Sequence, residues 1–246
     1  MTMNSKAAKK FLEESAGVYH SEIVKGWEKL YEKKREQLYK AILKHHVPGN
    51  ALELGSADGI MTKKLLPGFS SFTVIDGSQM FLDQLNNNIK SNKLKTICSL
   101  FEEFETDEKF DNIFGTHILE HLSDPVLVLK KAKSWLSDKG RIFIAVPNAN
   151  SIHRLIGVKM GLLKQPDSLN EQDIKLGHLR VYTPTLLRQH IHDAGLNIIQ
   201  FGGLMVKPIS NRQIEANWSE ELINAFFSLG DDLPEMCSEI YIVAGK

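Results

Sequence analysis

The run Ala51-Leu52-Glu53-Leu54-Gly55-Ser56-Ala57-Asp58-Gly59 joins four strand-like residues to a turn of small side chains and then to a helical stretch. At the carboxyl end of a strand in an open α/β sheet, such a turn is where ligands bind. Gly55 can take the positive φ that a tight turn needs, and Gly59 lets the next helix start close to a ligand. A second strand-like run ends in Ile75-Asp76-Gly77-Ser78, with Asp76 placed 21 residues beyond Gly55. A carboxylate there can accept hydrogen bonds from both hydroxyls of a ribose. The residue types and spacing describe a nucleoside site.

The missing glycines narrow the nucleoside. A dinucleotide fold places G-x-G-x-x-G where the backbone must touch a pyrophosphate; the matching positions here hold Gly55, Ala57 and Ile60. S-adenosylmethionine carries adenine and ribose without phosphate, and its amino-acid end asks only for a small, tight loop with free amides. The expected cofactor is therefore S-adenosylmethionine, and a nicotinamide dehydrogenase is the poorer reading.

Methyl transfer to oxygen is an in-line displacement, and orientation alone can supply about 7–11 kcal/mol of its barrier. An alcohol also needs a base, a role that suits histidine near neutral pH. Two histidines stand where a substrate roof is expected: His153, after Pro147-Asn148-Ala149-Asn150-Ser151-Ile152, and His178, in Gly177-His178-Leu179-Arg180-Val181-Tyr182. A third group, His117-Ile118-Leu119-Glu120-His121, matches H-x-x-E-H letter for letter. That pattern binds zinc in proteases from one face of a long helix. Here Ser123-Asp124-Pro125 follows two residues later, so no such helix fits and no metal is expected.

The elements that must position these residues follow from the apolar pattern. Residues 7–46 read as helix, with Ile23, Trp27, Leu30, Tyr31, Leu38 and Ile42 at three- and four-residue spacing. After Pro48-Gly49 come short apolar runs at Ala51–Leu54, Phe72–Ile75, Lys95–Ser99, Phe110–Gly115 and Arg141–Val146. Helical stretches lie between them at Met61–Leu66, Met80–Asn92 and Pro125–Leu136. This alternation specifies parallel strands with crossover helices. Residues 148–181 interrupt it with Gly157, Gly161, Pro166 and Gly177, as an insertion would. Thr183 and Pro184 then open a helix that Gly195 closes. Two further strand-like runs, Asn197–Met205 and Ser238–Val243, flank a helix near Glu220–Leu229.

With 30 basic and 30 acidic residues among 246, the chain carries no net charge that would draw it to nucleic acid or anionic membrane. Residues 1–47 hold ten basic side chains against six acidic ones, which reads as a solvated helix face. No run approaches the ~20 apolar residues of a spanning helix. Cys98 and Cys237 read as buried thiols. The chain is expected to be cytoplasmic, to be a monomer or homodimer, and to act on a small molecule.

The stretches ALELGSADG, FTVIDGS, FDNIFGTHILEHLSDP and LSDKGRIFIAVPN resemble the successive motifs of class I S-adenosylmethionine-dependent methyltransferases. GHLRVYTPTLLRQHIHDAG is similar to the segment after the fifth strand in their small-molecule O-methyltransferase branch, which includes ubiquinone-biosynthesis and polysaccharide-modifying relatives. The likeness runs from about residue 48 to 246; its one departure is Ala57, where the family often has glycine. It implies an α/β fold: a doubly wound, Rossmann-like, mostly parallel seven-stranded sheet with an antiparallel last strand. Residues 1–47 would cap the methyltransferase domain of 48–246, and the insertion 148–181 would roof the substrate.

The resemblance also implies roles. Gly55, Ser56 and Ala57, with Gly59 behind them, would pass under the methionine moiety, and Asp76 would hold the ribose. Gly77, Ser78 and Met80 would flank the adenine, and Leu100-Phe101-Glu102 would cover its other side. Thr116 and His117 would sit beneath the sulfonium, while Glu53 orders the loop from behind. His178 is favoured over His153 as base because its segment falls on the pocket wall, with Arg180 and Tyr182 beside the substrate. Tyr19 and Trp27 could close the pocket as a lid, although packing alone explains Trp27. A module that binds the cofactor without turnover is the alternative, as are nitrogen, carboxyl or phosphate-type acceptors.

Overall fold

The computed structural model describes residues 25–246. Tyr19, His20 and the first part of the expected N-terminal helix lie outside the described residues. The strands are β1 (Ala51–Leu54), β2 (Phe72–Asp76), β3 (Leu94–Cys98), β4 (Phe110–Thr116), β5 (Leu136–Pro147), β6 (Asn197–Val206) and β7 (Cys237–Gly245). They form one sheet in the order β3-β2-β1-β4-β5-β7-β6. The pairs from β3 through β5 are parallel, and β7 runs antiparallel to both its neighbours. Every residue of β1 and β2 is buried, as expected of strands with helices on both faces of the sheet.

The helices are α1 (Glu28–Leu43), α2 (Ile60–Leu65), α3 (Gln79–Asn88), α4 (Pro125–Trp135), α5 (Ile152–Lys159), α6 (Glu171–Lys175), α7 (Pro184–Asp193), α8 (Asn211–Asn217) and α9 (Glu220–Asp232). Alternate strand residues feed separate cores. Leu52, Leu54, Ile113, Ile144 and Trp135 pack on one face of the sheet. Ala51, Phe72, Phe114 and Phe143 pack on the other, against Leu38 and Ile42 of α1. Phe114 is fully buried, with the rings of Phe69, Phe72 and Phe143 centred 5.3–6.2 Å away. Deleting a ring from such a place leaves a cavity as well as losing burial, so Phe114→Ala should destabilise by about 3–5 kcal/mol. A denaturant titration checks this through a fall in midpoint at unchanged slope.

Most expected elements are present with small shifts, but the helix expected over residues 7–46 does not run through 25–27, where Gly26 takes φ 82°, and α1 begins at Glu28. Thr183 caps α7 by accepting the Leu186 amide at 3.1 Å, with Pro184 as the first helical residue. β5 starts at Leu136, earlier than its apolar run, because Phe110 pairs with Leu136 across a register shift. Helix α8 has no counterpart in the sequence reading. Ile214 is its single buried residue, so it lacks periodicity, and a capping box between Ser210 and Gln213 starts it. Cys237 is buried as expected, but Cys98 is exposed: β3 is an edge strand, where burial is incomplete.

The insertion leaves and rejoins the body at one point. Asn148 bridges Tyr182, and the Ala149 amide donates to the Tyr182 carbonyl at 2.7 Å. Helix α1 is fastened across the same end of the sheet. Lys34 makes a buried ion pair with Glu239 of β7, the Tyr31 hydroxyl donates to Asp58 at 2.8 Å, and Lys64 reaches Glu36 at 2.6 Å.

Candidate functional site

The parallel register aligns the carboxyl ends of β1 to β4, since Leu54 faces Ile75 and Asp76 faces Cys98. The turn after β1 is wound by three left-handed residues, Gly55 (φ 81°), Ala57 (φ 43°) and Gly59 (φ 74°). A Cβ at Gly59 would lie 2.7 Å from a methyl of Leu85, which would have to shift, and the left-handed φ would strain any other residue there. Asp76 ties the turn to β2: its Oδ2 accepts the Ser56 amide at 2.8 Å and hydroxyl at 3.2 Å, and its Oδ1 accepts the Ser78 amide at 2.9 Å. Burial raises the Asp76 pKa, with these hydrogen bonds opposing the rise. A carboxylate offers about four acceptor positions, so a ribose would share or displace these donors. Ser78 also caps α3, Gly77 is buried beside it, and Met80 is exposed. Leu100, Phe101 and Glu102 are half-buried after β3; a Cβ on Gly55 would come within 3.8 Å of the Phe101 ring.

Glu53 faces away from this turn. It is 2% exposed, and its Oε2 accepts the Thr62 hydroxyl of α2 at 2.5 Å. Burial lifts its pKa from 4.5 to about 8, against the lowering effect of Thr62. The group therefore keeps its proton at neutral pH when folded and loses it when unfolded, so its contribution to stability falls as pH rises from about 4.5 to 8. Glu53→Gln should flatten that dependence. Melting curves at pH 5 and pH 8 check this: the wild-type chain should lose melting temperature relative to the variant at the higher pH.

Beyond the turn lies a cavity of about 210 Å³ between α1, the end of β4 and the inserted segment. Tyr31, bonded to Asp58 of the turn, forms part of its wall, so the turn after β1 and the cavity adjoin. Half-buried Thr116 ends β4, and His117 follows with φ 57°. A left-handed histidine is costly and is held by its surroundings. Its Nε2 is 3.0 Å from Glu239 and its Nδ1 3.4 Å from Glu120. Burial opposes charge on this ring, yet Glu239 and Glu120 outweigh burial and raise its pKa. Glu239, despite burial, is held well below the carboxylate range by Lys34 and His117.

Both proposed bases reach the cavity. His178 is buried, with Nδ1 3.3 Å from Oδ1 of Asp173 and its ring edge-on to His121 at 4.8 Å. Asp173 is fixed in turn by Arg154 at 3.2 Å and by the Asn170 capping box. His153 stands among cations: burial, then Lys207, Lys34 and Arg154, drive its pKa down to about 2. Trp27 both packs against Leu30 and Met205 and lines the cavity.

Two residues expected beside the substrate lie away from this cavity. Arg180 donates to the carbonyls of Leu119, at 3.0 Å, and Leu122, bracing the turn after β4. Tyr182 has no exposed surface, and its hydroxyl lies 3.1 Å from Nδ1 of His190. Neither lines the cavity, so neither is placed to touch a substrate there. Conversely, sequence reasoning passed over Lys34, Asp173, Lys207 and Glu239. The one signal for them was Glu239 itself, a charged residue within an apolar strand.

A family profile described as a methyltransferase domain matches residues 27–201. The chain belongs to this methyltransferase family. Among curated relatives, a ubiquinone biosynthesis O-methyltransferase of Coxiella burnetii is 21% identical over 168 residues, 66% of this chain and 69% of that protein. An (S)-coclaurine N-methyltransferase of Papaver somniferum is 33% identical over 76 residues, 30% of this methyltransferase and only 22% of the plant protein. Among solved structures, the N-methyltransferase NodS of Bradyrhizobium japonicum WM9, bound to S-adenosyl-l-homocysteine, gives a TM-score of 0.59 at 15% identity over 96% of each chain. A DhpI-SAM-HEP complex gives 0.63 at 13% identity over the whole of both chains. The cofactor of the family is S-adenosylmethionine, and the residues here fit it: a buried carboxylate closes a small-residue turn that lacks the glycines a pyrophosphate requires. Among the described residues no helix is long and apolar enough to cross a membrane.

Proposed function

We propose that this methyltransferase transfers a methyl group to a hydroxyl oxygen of a small, polar acceptor seated in the cavity beside the cofactor turn. One observation carries the reading: Tyr31 joins the two compartments, lining the cavity while bonded to Asp58 of the turn. S-adenosylmethionine, when bound, supplies the methyl group on a sulfonium sulfur. The chain then has three tasks. The turn and Asp76 hold the donor; α1 and the insertion hold the acceptor away from bulk water; and a protein group takes the hydroxyl proton as oxygen bonds to the methyl carbon and the C–S electron pair returns to sulfur.

His178 is the proposed base when the cavity holds protein groups alone. Asp173 orients its Nδ1, which leaves Nε2 to receive the proton. His153, with a pKa near 2, binds a proton too weakly for that task. His117 has carboxylates at both ring nitrogens and serves to position the end of β4. Polar acceptors are favoured by the lining, which includes Asn148, Arg154, Asn170 and Lys207. Lys207 has its Nζ on Asn211 at 2.9 Å, and burial, with Lys34 nearby, lowers its pKa to about 7.

A screen with methyl-labelled donor tests this against sugars, phenolic natural products and amines. Label is expected on a hydroxyl compound. Label on amines alone overturns the oxygen assignment, and tight donor binding with no labelled product from any class would favour a binding module.

A further inference from the structure

We propose that Glu120, His121 and His178 form a binding site for one divalent transition-metal ion on the cavity wall, an inference that rests on the reading of that cavity as the acceptor's. The sequence argument against a metal is that H-x-x-E-H needs a long helix. The folded chain needs none, because Glu120 and His121 sit in the turn after β4 and the third group arrives from the insertion.

The ligand atoms of the three side chains all lie within 4.8 Å of one another. Glu120 has no exposed surface, and among the described residues neither of its oxygens accepts a well-aligned hydrogen bond, while Nδ1 of His117 pairs with Oε1 at 3.4 Å. A buried carboxylate whose one contact is a long one to a histidine has acceptor positions to spare, and buried charges are paired or coordinate metals. The groups facing Glu120 are the rings of His117, His121 and His178.

Outer groups stand beside both rings, as around metal-bound histidines. The Gly177 backbone lies beside the His121 ring, and Nδ1 of His178 lies 3.3 Å from Oδ1 of Asp173. Two imidazoles and one carboxylate suit Zn²⁺, Mn²⁺ or Co²⁺ better than the all-oxygen shells of Mg²⁺ and Ca²⁺. Three protein ligands leave positions open on the ion. All three line the cavity, so an open position can take the acceptor's oxygen and polarise it.

The test uses the full chain, treated with chelator and dialysed, then titrated with Zn²⁺ by calorimetry and with Co²⁺ by visible absorption. One ion per chain is expected, with a Co²⁺ spectrum of nitrogen and oxygen ligation. Glu120→Gln and His178→Ala should each weaken binding by at least tenfold, and Asp173→Asn, acting through His178, by about 10–100-fold. Titration of each variant with S-adenosylhomocysteine reports whether the fold and donor site survive. Absence of saturable binding of either ion by the wild-type chain would overturn the proposal, as would unchanged ion affinity in folded Glu120→Gln and His178→Ala. If S-adenosylhomocysteine binds and the ions do not, only the metal site fails; if S-adenosylhomocysteine does not bind the wild-type chain, the methyltransferase reading fails instead.

Discussion

Replacing His178 by alanine is expected to remove most turnover, by roughly 10²–10⁴-fold, while leaving S-adenosylmethionine binding intact. The residue belongs to the inserted segment and lines the cavity, and its contacts are with Asp173 and His121. Its loss therefore removes an acceptor-side group, whether it acts as base or as ion ligand, and leaves the turn of Gly55–Gly59 untouched. Single-turnover kinetics with a labelled donor would show the chemical step slowed and the donor affinity held. A variant with a near-normal rate would take the acceptor's proton away from His178.

Asp76→Ala is expected to weaken donor affinity by about a hundredfold while the fold survives. Hydrogen bonds to a charged acceptor are worth about 1.5–3 kcal/mol each, and a ribose presents two hydroxyls. Asp76 also holds the Ser56 amide and hydroxyl and the Ser78 amide, so its removal loosens the turn on which the methionine end rests. Both effects act on the donor. Equilibrium dialysis with S-adenosylmethionine measures the loss, and circular dichroism reports the fold. Unchanged affinity would mean that the carboxylate serves the turn alone.

Much of the sheet was legible because parallel strands buried on both faces read as continuous apolar runs. Ala51–Leu54 matches its strand residue for residue, and Thr183-Pro184 marks the start of α7 by local capping chemistry. The turn after β1 was legible for a similar reason: Gly55, Ala57 and Gly59 carry out a backbone task that small residues announce.

The cavity was harder to read, because its wall is assembled from α1, β7 and the insertion, which are far apart in sequence. Nothing near Lys34 in the chain points to Glu239, and nothing near His178 points to Glu120. Arg180 and Tyr182 show the same limit from the other side. They lie within four residues of a cavity-lining histidine, yet the strand-like bridge at Tyr182 turns that side chain into the core. Helix α8 was hidden by its polar composition, with Ile214 as its one buried anchor.

The account rests on a donor site built from the turn after β1 and the end of β2. Calorimetric titration of the purified chain with S-adenosylhomocysteine tests it most directly. Saturable one-to-one binding, lost or greatly weakened in Asp76→Ala, is the predicted result; no binding at high-micromolar ligand would contradict it.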